Sequence, residues 1–355
     1  MRAGLATILA VLAACGAPTH PSSGSARDPQ PERAPPGAAM EQPAAPAPAV
    51  KSSAPSAPAP PPQRARGLPS LPATIELEAA GGPQRLPLDD YLCGVLRGEL
   101  VVWDAPSALL EAQAIASRSY ALAVLELRAL QGRSSAVSAT TAAQAYRAPP
   151  QGTLSPAARK VEQRVRAAVL ATRGRVLVAD ERVLDARFHA SCGGSTAAFA
   201  DVFAEQQDLG AMPSVACSGC GAESAWKASL QRSELARAWD VLGLSPKDWT
   251  LAPVRRDARG RWLEVELGSK GKARRLPFEE FRARIGTARI PSSRITNEWP
   301  DAGKRIDATL VLEGRGRGHG VGMCQGGARK EAERGASAAA ILARYYPGAV
   351  LATLR

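Results

Sequence analysis

The chain has 355 residues, a mass of 37.0 kDa and a formal net charge of +12, with six cysteines and only three histidines. That is the length of about two ordinary domains, but 16 of its 29 prolines fall between Pro18 and Pro72 and remove that stretch from any core. No run of about 18 apolar residues occurs, which excludes a multi-span membrane protein. The positive charge, carried by 37 arginines against 8 lysines, does not choose among nucleic acid, a membrane surface and a cell wall.

Met1 to Cys15 reads MRAGLATILAVLAAC. Arg2 is a minimal positive start, and Leu5 to Ala14 is too short to span a bilayer but suits the apolar part of a signal peptide. Leu12-Ala13-Ala14-Cys15 resembles a bacterial lipobox. It predicts export, with Cys15 acylated and the protein held at a bacterial membrane by that lipid alone, facing the periplasm or the cell wall. Residues 16–72 are Pro/Ala-rich and read as a disordered or polyproline linker, extended at about 3 Å per residue.

Ordered patterning begins near Ala73 and runs through 355. Thr74 to Glu78 reads as a strand, Leu88 to Leu96 as a helix, and Pro106 to about Leu130 as a longer helix. The small residues Ala112, Ala114, Ala116, Ser117 and Ser119 in the longer helix allow a neighbour to approach closely. Ser155 to Thr172 is a further helix. Arg175–Ala179 and Arg182–Ala190 predict a hairpin turning at Asp180-Glu181. Alternation in its second strand puts Leu184, Ala186 and Phe188 on one face and Asp185, Arg187 and His189 on a polar one. Residues 226–312 read as an inserted α/β subdomain with helices at Ser233–Leu242 and Phe278–Ile285. Asp307 to Glu313 is a strand, and a last helix covers about Ala328 to Glu333. Without a repeating βα unit the pattern predicts an α+β fold with mostly antiparallel strands.

Glu99 follows a helix of apolar and small residues and precedes Leu100, Val101, Val102 and Trp103. Such company raises a carboxyl pKa and suits a general acid. Asp104 and Glu111 read as surface or helix-entry charges. His189-x-x-Cys192 and Cys217-x-x-Cys220 offer four ligands for tetrahedral zinc. A disulfide is the alternative in an exported protein, as is a free His189 beside cysteines that hold the metal alone. Seven of the fourteen residues Gly314 to Gly327 are glycine, but the loop has neither the register nor the following strand of a dinucleotide site. Its glycines let backbone amides approach a ligand closely, with His319 and Gln325 offering side-chain hydrogen bonds. Basic residues are dispersed without stacking aromatics, so no nucleic-acid partner is expected.

Three segments together resemble one family. They are Leu88-Asp89-Asp90-Tyr91-Leu92-Cys93-Gly94-Val95-Leu96-Arg97-Gly98-Glu99 with the helix to Ala121; Phe188-His189-Ala190-Ser191-Cys192-Gly193-Gly194-Ser195-Thr196; and Gly316-Arg317-Gly318-His319-Gly320-Val321-Gly322-Met323-Cys324-Gln325 with Tyr345-Tyr346-Pro347-Gly348. In that order they resemble the SpoIID/LytB domain over about residues 73–355. The resemblance implies an exported lytic transglycosylase that cuts peptidoglycan glycan strands to 1,6-anhydro ends. Glu99 would be general acid and then base, and Arg118, His189, Ser191, Ser195, His319 and Gln325 would line the cleft. It also implies zinc in some members, and a cleft in which Cys93 and Cys324 are neighbours. The alternative it carries is a non-catalytic, wall-binding enhancer of an N-acetylmuramoyl-L-alanine amidase. The family commonly follows its glutamate with Met-Pro, where this chain has Leu100-Val101.

Overall fold

The computed structural model describes residues 68–354 apart from 80, 134–135, 141–143, 204–211, 218, 221–223, 242, 245–248, 270 and 298–308. Cys15, the signal-peptide reading and nearly all of the 16–72 linker lie outside the described residues.

The first region is helical at its centre. β1 (Thr74–Ala79) and β2 (Gly82–Pro87) form an antiparallel hairpin, and β3 (Ala136–Ser138) joins β1 in parallel. Pro87, with φ −52°, then launches α1 (Leu88–Glu99), whose Asp89 and Asp90 sit in the first turn, where they complement the helix dipole. α2 (Ser107–Leu130) starts after Pro106 and is buried on every side from Ala112 to Leu122, polar residues included. α3 (Pro156–Ala171) is capped by Ser155, whose hydroxyl accepts from Ala158 N, with proline at the first helical turn.

β4 (Arg175–Ala179) and β5 (Arg182–Val183) make the expected hairpin, with Asp180 and Glu181 at φ 47° and 59° as a two-residue turn. The second strand stops far short of Ala190. Short-range bonds from Ala186 N to Leu184 O and from Arg187 N to Asp185 O turn the chain. Phe188 and His189 then begin β6 (Phe188–His189), which pairs in parallel with β12 (Met323–Cys324). His189 is therefore 4% exposed rather than on a polar face. β13 (Val350–Thr353) completes the sheet on the other edge of β4, and the helices α4 (Phe199–Val202), α7 (Gln325–Glu333) and α8 (Ala338–Tyr345) fill out the region.

A second apolar cluster draws its members from Ala228 to Leu312. It comprises β7 (Ala225–Gln231), α5 (Arg232–Val241), a meander of β8 (Thr250–Arg256), β9 (Trp262–Ser269) and β10 (Lys272–Pro277), α6 (Phe278–Ile285) and β11 (Thr309–Arg315), which pairs with β7. Trp239 stacks on Trp249 with ring centroids 4.9 Å apart, and Phe281 and Trp262–Phe278 meet edge-on around them. The fold is mixed α+β, with small and mostly antiparallel sheets.

Candidate functional site

Glu99 is the last residue of α1. Leu100 leaves the helix at φ −119°, ψ 152°, the extended conformation that a following proline would impose, here reached with Val101 instead. The setting of Glu99 depends on two glycines one helical turn apart. A Cβ on Gly98 would lie 2.2 Å from Ala145 O, and one on Gly94 2.0 Å from the Tyr146 ring. Residues 144–147 therefore lie directly against the helix. Arg147 N bonds Gly94 O at 3.0 Å, Tyr146 stacks on Tyr91, and Ala145 N donates to Glu99 Oε1 at 2.5 Å.

The Gln325 amide is hydrogen-bonded to the Glu99 carboxylate as well. Gln325 Nε2 also reaches Gln113 Oε1 at 3.3 Å, and Gln113 Nε2 donates to Ser117 Oγ at 3.0 Å. Burial raises the Glu99 pKa above the usual carboxylate range, while the Ala145 and Gln325 donors pull it part of the way back. Burial likewise raises the phenols of Tyr91 and Tyr120, to which the nearby Glu99 charge adds. Among the described residues, no carboxylate figures among the groups that set the acidity of Glu99. The result is one half-buried acid held by two neutral donors.

A second constellation lies one residue away. The sulfurs of Cys192, Cys217, Cys220 and Cys324 are all buried and within 4.8 Å of one another, with pairs at 3.0, 3.3 and 3.5 Å. These separations exceed a disulfide bond of about 2.05 Å, and the five described cysteines are all free thiols. Four buried thiols fit a closed tetrahedral zinc or similar soft-metal site.

Each ligand position has its own support. Cys324 Sγ accepts from Gly327 N and Cys192 N, both at 3.3 Å, which favours its thiolate. Tyr345 OH stands 3.3 Å from Cys217 Sγ. Gly327 keeps this space open, since a Cβ there would lie 2.4 Å from Cys217 Sγ. Hydrogen bonding from Cys192 brings Cys217 down to about 7, and Cys220 is lowered further. The hydrogen bonds among the thiols push Cys192 and Cys324 up, so crowding opposes joint ionisation unless a cation unites them.

The sequence offered two readings, His189 as a ligand with Cys192, Cys217 and Cys220, or a free His189 beside cysteines that hold the metal alone; the close group found here is the four thiols without His189. Parallel pairing of β6 with β12 sets His189 beside Cys324 in the backbone register, and Cys324 supplies the fourth thiol. Cys93 is buried but outside this group, so it is not the partner of Cys324.

His189 Nδ1 lies 3.1 Å from Val321 O, and its buried Nε2 has no partner among the described residues. Burial, with the nearby Arg261 charge, lowers its pKa to about 4. His319 meets it edge-on at 5.7 Å and is lowered well below the ordinary value by burial and by His189. Both imidazoles are therefore neutral at pH 7.

Ser191 and Arg317 exchange backbone bonds at 3.1 and 2.7 Å, and the Ser191 hydroxyl is buried. Gly316 and Gly318, at φ +90° and +99°, press on Ser191 and His189, where a Cβ would sit 2.7–2.8 Å from Ser191 O and His189 Cβ. These two glycines bring the loop close onto its own chain. Ser195 is 2% exposed, and its hydroxyl accepts from Arg294 at 2.7 Å.

Arg118 is no cleft residue. Fully buried, its guanidinium donates to Val169 O, Thr172 O and Arg175 O and so caps the C-terminal end of α3. Of the predicted cleft residues, only Gln325 is among the groups acting on Glu99. Gln113, Ala145 and Tyr146 were missed. A glutamine within an otherwise small-residue helix was the one signal for Gln113, and nothing local marked the segment 144–147.

A family model described as Stage II sporulation protein matches residues 80–178, which include α1, α2 and Glu99. Stage II sporulation protein D of Bacillus amyloliquefaciens is 27% identical over 284 residues, which is 75% of this chain and 74% of that protein. An uncharacterized protein of Brachyspira hyodysenteriae is 29% identical over 265 residues, 74% of this chain and 66% of its own length. The amidase enhancer of Bacillus subtilis is 38% identical over 76 residues, 21% of this chain and 10% of that protein. Together these matches support a SpoIID/LytB-family protein, with the Stage II sporulation protein match lying over residues 80–178.

Proposed function

We propose that this protein acts on the bacterial cell wall as a lytic transglycosylase, with Glu99 as its single acid and base. The observation that carries this reading is the carboxyl of Glu99, its pKa raised by burial and its oxygens held by two neutral donors. In its acid form it gives a proton to the glycosidic oxygen as the bond to the anomeric carbon breaks. As carboxylate it then takes the proton of the sugar's 6-hydroxyl, whose oxygen closes the 1,6-anhydro ring. A hydrolase by the ordinary route needs a second carboxylate to handle water or the anomeric carbon. A lone acid suits the intramolecular route.

The four cysteines hold zinc in this reading, as a closed structural site with no open position for substrate. The N-terminal segment makes the protein an exported lipoprotein anchored through Cys15. No helix among the described residues is long and apolar enough to cross a membrane.

Incubating the protein with denuded and with peptide-bearing glycan strands, then weighing the products, tests the reading. Anhydro-ended fragments that vanish with Glu99→Gln support it. Intact glycan that is bound but never cut overturns it. That outcome favours the second reading, a wall-binding enhancer of a separate amidase, which the local match to the amidase enhancer motivates.

A further inference from the structure

We propose that Trp103 and Lys160 form a subsite beside Glu99 for a carboxylate-bearing amino sugar of the glycan strand; this rests on the glycan-cutting reading above. Trp103 is 71% exposed, an unusual position for the largest amphipathic side chain. Its loop is nevertheless tightly held. Arg164 of α3 donates to Trp103 O at 2.9 Å and also to Ala105 O. On the other side Arg329 of α7 donates to Val101 O at 2.8 Å and pairs with Asp104 at 3.1 Å. Two arginines from two helices thus fix the backbone of residues 101–105 while the indole faces solvent.

Below the indole lies a pocket of about 310 Å³ lined by Trp103, Ala157, Lys160, Val161 and Arg164, at the small end of ligand sites. Its α3 residues recur at helical spacing on a strip that adjoins the buried Val165, Ala168 and Val169. An indole face accepts the apolar face of a pyranose ring, so a rigid platform binds it with little ordering cost. Arg164 is spent on backbone carbonyls. Among the described residues Lys160 makes no ion pair, and its ammonium supplies the charge for a lactyl or peptide carboxylate on that ring.

Trp103 is four residues from Glu99, so their Cα atoms are at most about 14 Å apart. That is a few sugar rings from the bond being cut. The indole and ammonium then select which ring of the strand is placed at the acid.

The test uses the full chain carrying Glu99→Gln, which binds without turnover. Soluble muramic-acid-containing glycan fragments and chitin oligomers of equal length are titrated, and affinity is read by calorimetry and tryptophan emission. Adding Trp103→Ala is expected to weaken both ligands at least about tenfold, as loss of an anchoring aromatic does, while Trp103→Phe keeps most of the affinity. Adding Lys160→Ala is expected to weaken only the carboxylate-bearing ligand. Binding within about twofold of the parent for Trp103→Ala, where RT ln 2 is under the worth of one contact, overturns the subsite; equal effects of Lys160→Ala on both ligands overturn the carboxylate assignment. Wild-type protein that makes no anhydro product, yet loses fragment binding with Trp103→Ala, would sink the lytic reading and leave the subsite standing. Cleavage with an unchanged KM in Trp103→Ala would do the reverse.

Discussion

The two cores of this molecule are built from different materials. The one that holds Glu99 and the thiols is aliphatic and small-grained, with Gln113, Ser117, Arg118 and Ser119 fully buried inside it. The other is dominated by Trp239, Trp249, Trp262, Phe278 and Phe281. Burying a polar group is costly unless it is bonded. The first core meets that demand by close backbone approach at Gly94, Gly98 and Gly327, which lets short donors reach buried acceptors. The second core gains its stability from aromatic area and contributes to the site mainly through Arg261. This guanidinium, 1% exposed, donates to Cys192 O and Ser195 O and braces the thiol loop from outside. Chemistry sits in the core that gave up aromatic bulk for close approach.

The sharpest way to break this contrast is to remove the metal that the four thiols are proposed to hold. Chelation, or Cys220→Ser, should cost the most, since structural zinc contributes on the order of 10 kcal/mol in small zinc domains. The expectation is loss of helical far-ultraviolet signal while the near-ultraviolet signal of the three buried tryptophans persists. Loss of both in one transition would mean that the cores are a single cooperative unit.

The converse substitution, Trp239→Ala, should cost about 3–5 kcal/mol by emptying a fully buried aromatic site, with bound metal per chain unchanged. Gly98→Ala follows at about 1–3 kcal/mol, because the new methyl meets backbone rather than a movable side chain. It should lower glycan cleavage more than stability, by pushing Ala145 N away from Glu99. Gly81→Ala, where a Cβ meets nothing within 4 Å, is the control. Equal losses in the two variants would show that the close approach is incidental.

The smallest effect concerns Glu99 itself. Its pKa is raised on folding, so the native state holds the proton more tightly than the unfolded chain. Stability therefore falls as pH rises from the ordinary carboxylate pKa, near 4.3, through the raised native value. Glu99→Gln removes that cost. It should denature at the same or slightly higher denaturant concentration than wild type at pH 7, with the advantage fading below about pH 4. A less stable variant at pH 7 would mean that the carboxylate is a stabilising anion rather than a strained acid.

Much of this was legible from the chain alone, where local physics decides. Proline and aspartate mark the start of α1, Ser155-Pro156 marks α3, and the apolar setting of Glu99 foretells its raised pKa. Pairings between distant segments were not legible. His189 alternates with the polar residues of its segment, yet the parallel bridge to Met323–Cys324 buries it and substitutes Cys324 in the thiol group. Arg118 carries a charge that suggested substrate, but the open carbonyls at the end of α3 claim it. α8 and β13 were missed: Ala338–Tyr345 is short, and Val350–Thr353 becomes a strand because β4 offers it an edge.

That last pairing has a consequence for how the molecule comes together. β13 closes on β4, and β12 on β6, so two separate small sheets each join a segment from the middle of the chain to one near its end. The aromatic core is contiguous from Ala228 to Leu312. Contacts close in sequence form sooner than those that must first close long loops. The aromatic region therefore assembles early and the half that holds Glu99 and the thiols late. Glu99 acquires its final acidity only when Gln325, far along the chain, arrives beside it.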